Sequence, residues 1–366
     1  MNTATPTPAP RRRLWWALTA TAALWLTLWL TPALLLPPPA PTCPPSSPRW
    51  RGVYHLHAVD HDGIDRSERA RAAAQAACLD FLIVTDHNHT LGQLVKDDRT
   101  QPTILDGGEW TVGKHHHGQL WGRHHGERRN DPAAALRVLN HPTASGIHDL
   151  ADLSDEELAA FTAGTMGLEI ANAPRLATHT PAWRLAAALL AGPARRDLTF
   201  ALLSQPAPAR DLWVQLRTTL QQPVWMLCGS DAHGGMTPYD LFFSALVLHL
   251  PQVQEDFEPI LALNAITQGC GVCVNEYLGD PGHISLHQDE GSLTITADLP
   301  PHAHWRLLED GREIARGQKH TTLRPQPRHN QRRAFYHLEL WQDPSLGTLP
   351  FASLWAIADT CRLPPP

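Results

Sequence analysis

The chain has only six cysteines in 366 residues, too few for a small disulfide scaffold. It has no surplus of positive charge. Thirty Lys and Arg stand against 36 Asp and Glu, for a net charge of −6. That argues against a protein that holds nucleic acid by general phosphate attraction. Only 18% of the residues are charged and 43% are hydrophobic, which excludes a wholly disordered chain and leaves material for a sizeable core. No internal repeat stands out. The length suits one large catalytic domain plus a small one, or two ordinary domains.

Two residue types are in surplus: 22 His and 33 Pro. Ten of the histidines fall between His55 and His125. A clustered surplus of imidazole points to metal.

Residues 14–36 (LWWALTATAALWLTLWLTPALLL) carry no charge. As a helix they would be roughly 34 Å long at about 1.5 Å per residue, enough to cross a hydrocarbon core. Arg11, Arg12 and Arg13 precede the run. The positive-inside rule keeps them in the cytoplasm, as residues 1–13, and sends the chain outward. The expectation is a transmembrane anchor in the inner membrane, with the catalytic domain periplasmic or extracellular. A cleaved signal peptide is the alternative. Residues 37–48 (PPPAPTCPPSSP) then form a stiff Pro-rich stalk.

From residue 49 to 281, short apolar runs alternate with helical stretches. Strand-like runs occur at 53–57, 79–85, 103–105, 136–140, 167–170 and 224–228. Helices are expected at 65–78, 181–191 and 209–221, and Ser154 with Glu157 forms a capping box that opens another. This alternation predicts an α/β barrel or sheet. Each of these strand-like runs contains His or Glu or is followed within three residues by His or Asp. In α/β barrels the strand ends build the active face. Residues 282–342 read as a small β-sandwich-like module, with a hairpin turn at Asp310-Gly311, and 343–366 as a C-terminal tail.

His55 and His57 share one face of a strand by its period of two. Asp62, Asp86-His87, Glu109, the triplet His115-His116-His117, His141 and Asp231-Ala-His233 follow. The triplet leaves the ligand register open. Asn88, Lys114 and Arg123 lie near these residues and are candidates to hold a substrate anion. Cys270-Gly-Val-Cys273 lacks a second such pair. It reads as a local disulfide or two partly buried thiols, with Cys78 and Cys228 as core residues. The C-terminal imidazoles, His337 among them, read as surface residues.

The pieces HLHAVDHDG (55–63), LDFLIVTDHNH (79–89), GGEW (107–110), HGQLWG (117–122), NHP (140–142), LEI (168–170) and GSDAH (229–233) occur in this order. In them the chain resembles the PHP (polymerase and histidinol phosphatase) metallohydrolase superfamily, nearest its carbaryl-hydrolase-like branch. The resemblance implies a distorted (β/α)7 barrel, to which the reading of the residues adds the C-terminal β module and the N-terminal transmembrane helix. It implies two or three divalent ions (Zn, Mn or Fe). The first would take His55, His57, Glu109 and Asp231. The second would share Glu109 and take His117 and His141. The third would take Asp62, His87 and His233. Glu109, Asp231 and His233 would be the catalytic residues, and Asp86 and Glu169 would orient ligands. A metal-bridged hydroxide would attack a phosphoester. A carbamate or carboxylic ester on the same site is the rival substrate. A degenerate, non-catalytic binding protein is a third possibility. A small-molecule ester or phosphoester is the expected partner, and no nucleic acid is expected.

Overall fold

A computed structural model describes residues 19–21, 23, 49–58, 63, 67–88, 102–112, 115–120, 136–162, 166–175, 180–191, 208–235, 239–243, 245–252, 257–289, 291–325, 333–343 and 352–361. The stalk and most of the expected membrane span lie outside these residues. Among the described residues, no helix is long and apolar enough to cross a membrane.

Seven strands close into a ring. The ring begins with β1 (Arg49–Leu56), helix α1 (Ser67–Ala76), β2 (Phe81–Val84), β3 (Thr103–Val112), β4 (His115–Leu120) and β5 (Leu136–Leu139). It continues with α2 (Asp155–Thr162), β6 (Met166–Asn172), α3 (Ala182–Ala191), α4 (Pro208–Leu220) and β7 (Trp225–Ala232). Each strand pairs with the next, and β7 returns to β1 through Tyr54 opposite Gly229 and Leu56 opposite Ala232. Six strands run one way. Only β4 opposes its neighbours, β3 and β5, and this reversal is the distortion of the barrel.

The local reasons are plain. β2 (FLIV) is buried on both faces, as a parallel barrel strand must be. In α4 the buried residues Ala209, Leu212, Trp213, Leu216 and Arg217 follow the i, i+3, i+4, i+7, i+8 stripe of a helix packed on one side. At the start of α2, Glu157 accepts from the Ser154 backbone N at 2.8 Å, and the Glu157 N donates to Ser154 Oγ at 3.3 Å. That is the capping box expected from sequence.

The sheet does not stop at the ring. β8 (Val247–Pro251) runs antiparallel to the first half of β1. Helix α5 (Pro259–Thr267) leads to β9 (Val272–Val274), which pairs with β8. The C-terminal region adds β10 (Ser285–Asp289), β11 (Ser292–Thr296), β12 (Ala303–Glu309), β13 (Arg312–Gly317), β14 (Thr321–Leu323), β15 (Tyr336–Gln342) and β16 (Ser353–Cys361). The order β8-β9-β16-β15-β12-β13 continues the barrel sheet. β10, β11 and β14 pair among themselves, and β10 meets β16 at Leu286 opposite Thr360. Leu286, Ile295, Trp305, Leu338, Leu340 and Trp355 belong to the core of this region. The expected turn at Asp310-Gly311 joins β12 to β13, with both residues at positive φ (49° and 79°), as a tight two-residue hairpin requires.

Two sequence expectations change. Ser353–Cys361, read as part of a tail, is a strand inserted between β15 and β9. It is almost wholly buried, so it lacks the alternation that marks a half-exposed strand. Cys270 and Cys273 do not pair with each other. Cys273 joins Cys228 of β7, and Cys270 joins Cys361 of β16. Cys78 is also disulfide-bonded. Cys273 lies on β9 and Cys270 just before it, so two cysteines three residues apart reach different strands, β7 and β16.

Candidate metal centre

The ends of the parallel strands gather the polar residues at one mouth of the ring. β4 runs the other way, so it is the start of this strand, His115-His116-His117, that lies at the same mouth. A bridge between His87 and Glu109 sets those two residues level.

The backbone is bent where the ligand-type residues sit. His55, His141 and Asp231 all have positive φ (60°, 28° and 45°). Such values are uncommon without glycine and collect at functional sites. At His55 the pairing of β1 slips between Tyr54 and Leu56 on both sides, a bulge that re-aims the imidazole. The expected regular alternation is therefore not what brings His55 and His57 together. Hydrogen bonds hold the bent segment. The His57 N donates to the Ala232 carbonyl at 2.9 Å, Ser230 Oγ to the His55 carbonyl at 2.8 Å and Tyr239 OH to the His57 carbonyl at 2.7 Å.

Glu109 is the hub. It is fully buried. Its Oε2 lies 3.5 Å from His55 Nε2, 3.5 Å from His57 Nε2 and 3.2 Å from His87 Nδ1. Its Oε1 lies 3.3 Å from His141 Nε2 and 3.8 Å from His116 Nδ1. Asp231 Oδ1 lies 3.5 Å from His55 Nε2, 3.6 Å from His57 Nε2 and 3.7 Å from His233 Nδ1. Four groups of three have ligand atoms within 4.8 Å of one another: His57 with His87 and His233, His55 with His57 and Asp231, His55 with Glu109 and His141, and His87 with Glu109 and His116.

These residues fit divalent cations. His55 Nε2 and Glu109 Oε2 are buried with no hydrogen-bond partner, a costly state for polar atoms unless something else meets them. Ligands about 2.1 Å from a tetrahedral ion lie about 3.4 Å from each other, and the spacings in the cluster centre on that value. Mixed imidazole and carboxylate donors suit Zn, Mn and Fe.

The surrounding residues orient the donors. Glu169 Oε1 accepts from His55 Nδ1 at 3.0 Å, and Oε2 from the His141 N at 2.6 Å. The carboxylate fixes the His55 tautomer and leaves the Nε2 lone pair facing the cluster. Gly229 makes room, because a Cβ there would come within 1.7 Å of Glu169 Oε1. Asn172 Nδ2 donates to Glu169 at 3.3 Å and to Asp231 Oδ2 at 3.2 Å. Asp86 Oδ1 accepts from the Ala58 N at 2.6 Å and so pins the chain just after His57.

Charge coupling is strong. Burial disfavours a protonated His55, but Glu169, Glu109 and Asp231 outweigh it and hold its pKa well above the ordinary imidazole value. Burial pushes Glu109 up, while His55 and His141 pull it well below the usual carboxylate range. Asp231 follows the same pattern, with His55 the strongest pull downward. Burial lowers the pKa of His116, and neighbouring imidazoles add to that shift. Burial, then Glu169 and Glu109, keep the Tyr54 phenol well above its usual pKa.

The structure thus brings together His55, His57, His87, Glu109, His141, Asp231 and His233. It does not bring His117 to them. His115 and His117 point to the opposite side of β4 and share buried Glu157, with His117 Nε2 3.6 Å from Glu157 Oε1. In a strand, residues two apart share a face, so His116 alone of the triplet turns to Glu109. Asn88 is exposed beside His87, and its backbone N donates to the Glu109 carbonyl at 2.6 Å. Asp62, Lys114 and Arg123 lie outside the described residues. Tyr54, Asn140 and Asn172 do not stand out in the sequence, because single amides and phenols in apolar strands carry no pattern of their own. His337, expected at the surface, is buried with its ring 5.3 Å from that of Trp213.

No family model matches the chain. No curated protein matches it either. Among solved structures, one match is a two-domain protein from Bacteroides vulgatus that contains a predicted PHP-like metal-dependent phosphoesterase. It is 14% identical, with a TM-score of 0.43, covering 87% of this chain and 97% of that one. A likeness this slight assigns no activity. The comparisons give no support to the carbaryl-hydrolase-like branch.

Proposed function

We propose that the chain is a metal-dependent hydrolase of the PHP type, acting on phosphoesters. The observation that carries this is Glu109, one buried carboxylate whose two oxygens lie within 3.8 Å of five imidazoles from four segments of the barrel. His55, His57, Glu109 and Asp231 would hold one cation. Glu109 with His141 and His116 would hold a second, and His87 with His233, joined by Asp62, a third. When bound, such ions supply Lewis acidity and an activated water at neutral pH.

The protein's own residues do the rest. Glu169 keeps the His55 tautomer in place. Half-buried His87, His116 and His233 form the wall that a substrate would meet. Divalent cations at this mouth would offer a phosphoester anion a direct Coulombic attraction that a neutral ester lacks.

The apolar run at 14–36 would anchor the chain, with the catalytic domain on the outer side. The disulfides Cys228–Cys273 and Cys270–Cys361 support this side, since such bonds persist in oxidising compartments.

The test is elemental analysis of the full chain without an affinity His tag, with phosphoester and carboxylic ester turnover measured on the same sample. Two or three ions per chain and phosphoester turnover that inorganic phosphate inhibits competitively are expected. Turnover of carboxylic esters alone, indifferent to phosphate, would move the assignment to the rival substrate. No metal surviving dialysis would overturn it.

A further inference from the structure

Asn140 stands next to His141 but belongs to none of the groups that could hold a cation. Its side chain is fully buried. Nδ2 donates to Glu109 Oε1 at 2.8 Å, and Oδ1 accepts from Tyr54 OH at 2.5 Å. These two contacts fix which way the amide points. A carboxylate can only accept, so it needs the NH2 end, and the phenol hydroxyl then gives its proton to the carbonyl end. A flipped amide would set its oxygen against the Glu109 oxygen.

The surroundings are built for this chain of bonds. Gly118 sits opposite Glu109 in the β3–β4 ladder. A Cβ at Gly118 would come within 2.1 Å of Tyr54 Oη and 3.0 Å of Asn140 Oδ1. Tyr54, Glu109, Gly118 and Asn140 therefore come together from β1, β3, β4 and the end of β5. The result is an uneven carboxylate. Oε1 is held by Asn140, whereas Oε2 has no hydrogen-bond partner and faces His55, His57 and His87.

We propose that Asn140, itself set by Tyr54, is the positioning residue for Glu109, and that it holds the carboxylate rotation that leaves Oε2 open to cations. This rests on the metal-dependent reading above.

The test uses the full chain, stripped with chelator and titrated with Mn2+ alone. Stepwise affinities are measured together with the EPR spectrum of the loaded protein, which reports coupling between neighbouring Mn2+ ions. Asn140→Leu keeps the bulk and removes the donor. It should weaken the Glu109-dependent step about 10- to 100-fold, the usual cost of losing a partner behind a metal ligand, and alter the spectrum. Tyr54→Phe removes one oxygen and frees the amide to rotate, so it should shift both readouts in the same direction by less. This second variant keeps the test decisive if the first does not fold. A merely structural role would lower the melting temperature of the stripped protein and leave affinities and spectrum as in the wild type, which would overturn the inference. Wild-type protein that binds neither Mn2+ nor Zn2+ would overturn the metal-dependent reading and this inference with it. Wild type that binds Mn2+, beside variants that bind it identically, would overturn this inference alone.

Discussion

His116 and His117 are neighbours with opposite surroundings, and one substitution at each separates their roles. His116 faces Glu109 and is half-buried, while His117 is buried against Glu157. His116→Ala should lower metal content or weaken one binding step by at least about tenfold, with little change in the melting temperature of the stripped protein. His117→Ala should leave metal content intact and destabilise the fold by about 1–3 kcal/mol, because Glu157 loses a buried partner. Elemental analysis and calorimetry on both variants read this directly, and the reverse pattern would return the ligand role to His117. Gly229 offers a second single-residue test. The added methyl of Gly229→Ala would meet Glu169 Oε1 at 1.7 Å and His55 Cβ at 2.8 Å, so Glu169 must move off His55. Metal affinity should fall about 10- to 100-fold although no ligand is replaced. A variant that binds Mn2+ as tightly as the wild type would show that Glu169 does not orient His55. At this scale the sequence marks most of the residues that the structure gathers, because most of them follow an apolar run. It leaves His116 and His117 apart only by which face of a strand they occupy, and that depends on the register of β4 against β3.

The joint between α4 and β15 shows what individual elements contribute. Arg210 of α4 reaches Glu339 of β15 at 2.5 Å, Trp341 Nε1 donates to the same carboxylate at 3.0 Å, and Arg217 pairs with Asp359 of β16 at 2.9 Å. Burial raises the Glu339 pKa, but the nearby His337 imidazole, 3.7 Å away, and the charge of Arg210 outweigh it and bring it to about 2 from an ordinary 4.5. A depressed carboxylate stabilises the fold fully above its unfolded value and loses that contribution as pH falls towards the folded one. The shift amounts to about 3 kcal/mol, lost between about pH 4.5 and 2. The melting temperature of the metal-stripped protein should fall across that window. Glu339→Gln should lower it at pH 7, since the Arg210 charge loses its buried partner, and should flatten the acid limb. A variant with the same acid limb as the wild type would show that Glu339 carries none of it. α4 was legible because its apolar stripe repeats with helical period, and the β12–β13 hairpin because Asp310-Gly311 suits positive φ. β16 was not, because its Ser, Asp and Thr break the continuous apolar run that marks β2, and its burial on both faces leaves no period of two.

At the scale of the whole molecule, two covalent ties join the ring to the layer outside it. Cys228–Cys273 closes 45 residues and links β7 to β9, while Cys270–Cys361 closes 91 and links the approach to β9 with the end of β16. Neither pairing could be read from the sequence, since spacing gives no contact between strands so far apart in the chain. Loop-closure entropy assigns each about 4–5 kcal/mol, a large fraction of the stability of an ordinary domain. Their positions differ in consequence. Cys228 stands three residues before Asp231 on the strand that completes the ring, whereas Cys361 is near the C-terminus and far in sequence from every donor. Replacing Cys270 and Cys361 together by Ser should lower the melting temperature and leave Mn2+ affinities unchanged. Replacing Cys228 and Cys273 together should lower both, because β7 is freed beside Asp231 and Gly229. Calorimetry and Mn2+ titration of the two double variants, each against wild type with and without reductant, measure this. Saturating Mn2+ should recover part of the lost melting temperature in the first variant more fully than in the second, since a ligand stabilises in proportion to its remaining affinity. Equal loss of Mn2+ affinity in both would show that the ring and the outer layer hold the site as one unit, with β7 no more important to it than β16.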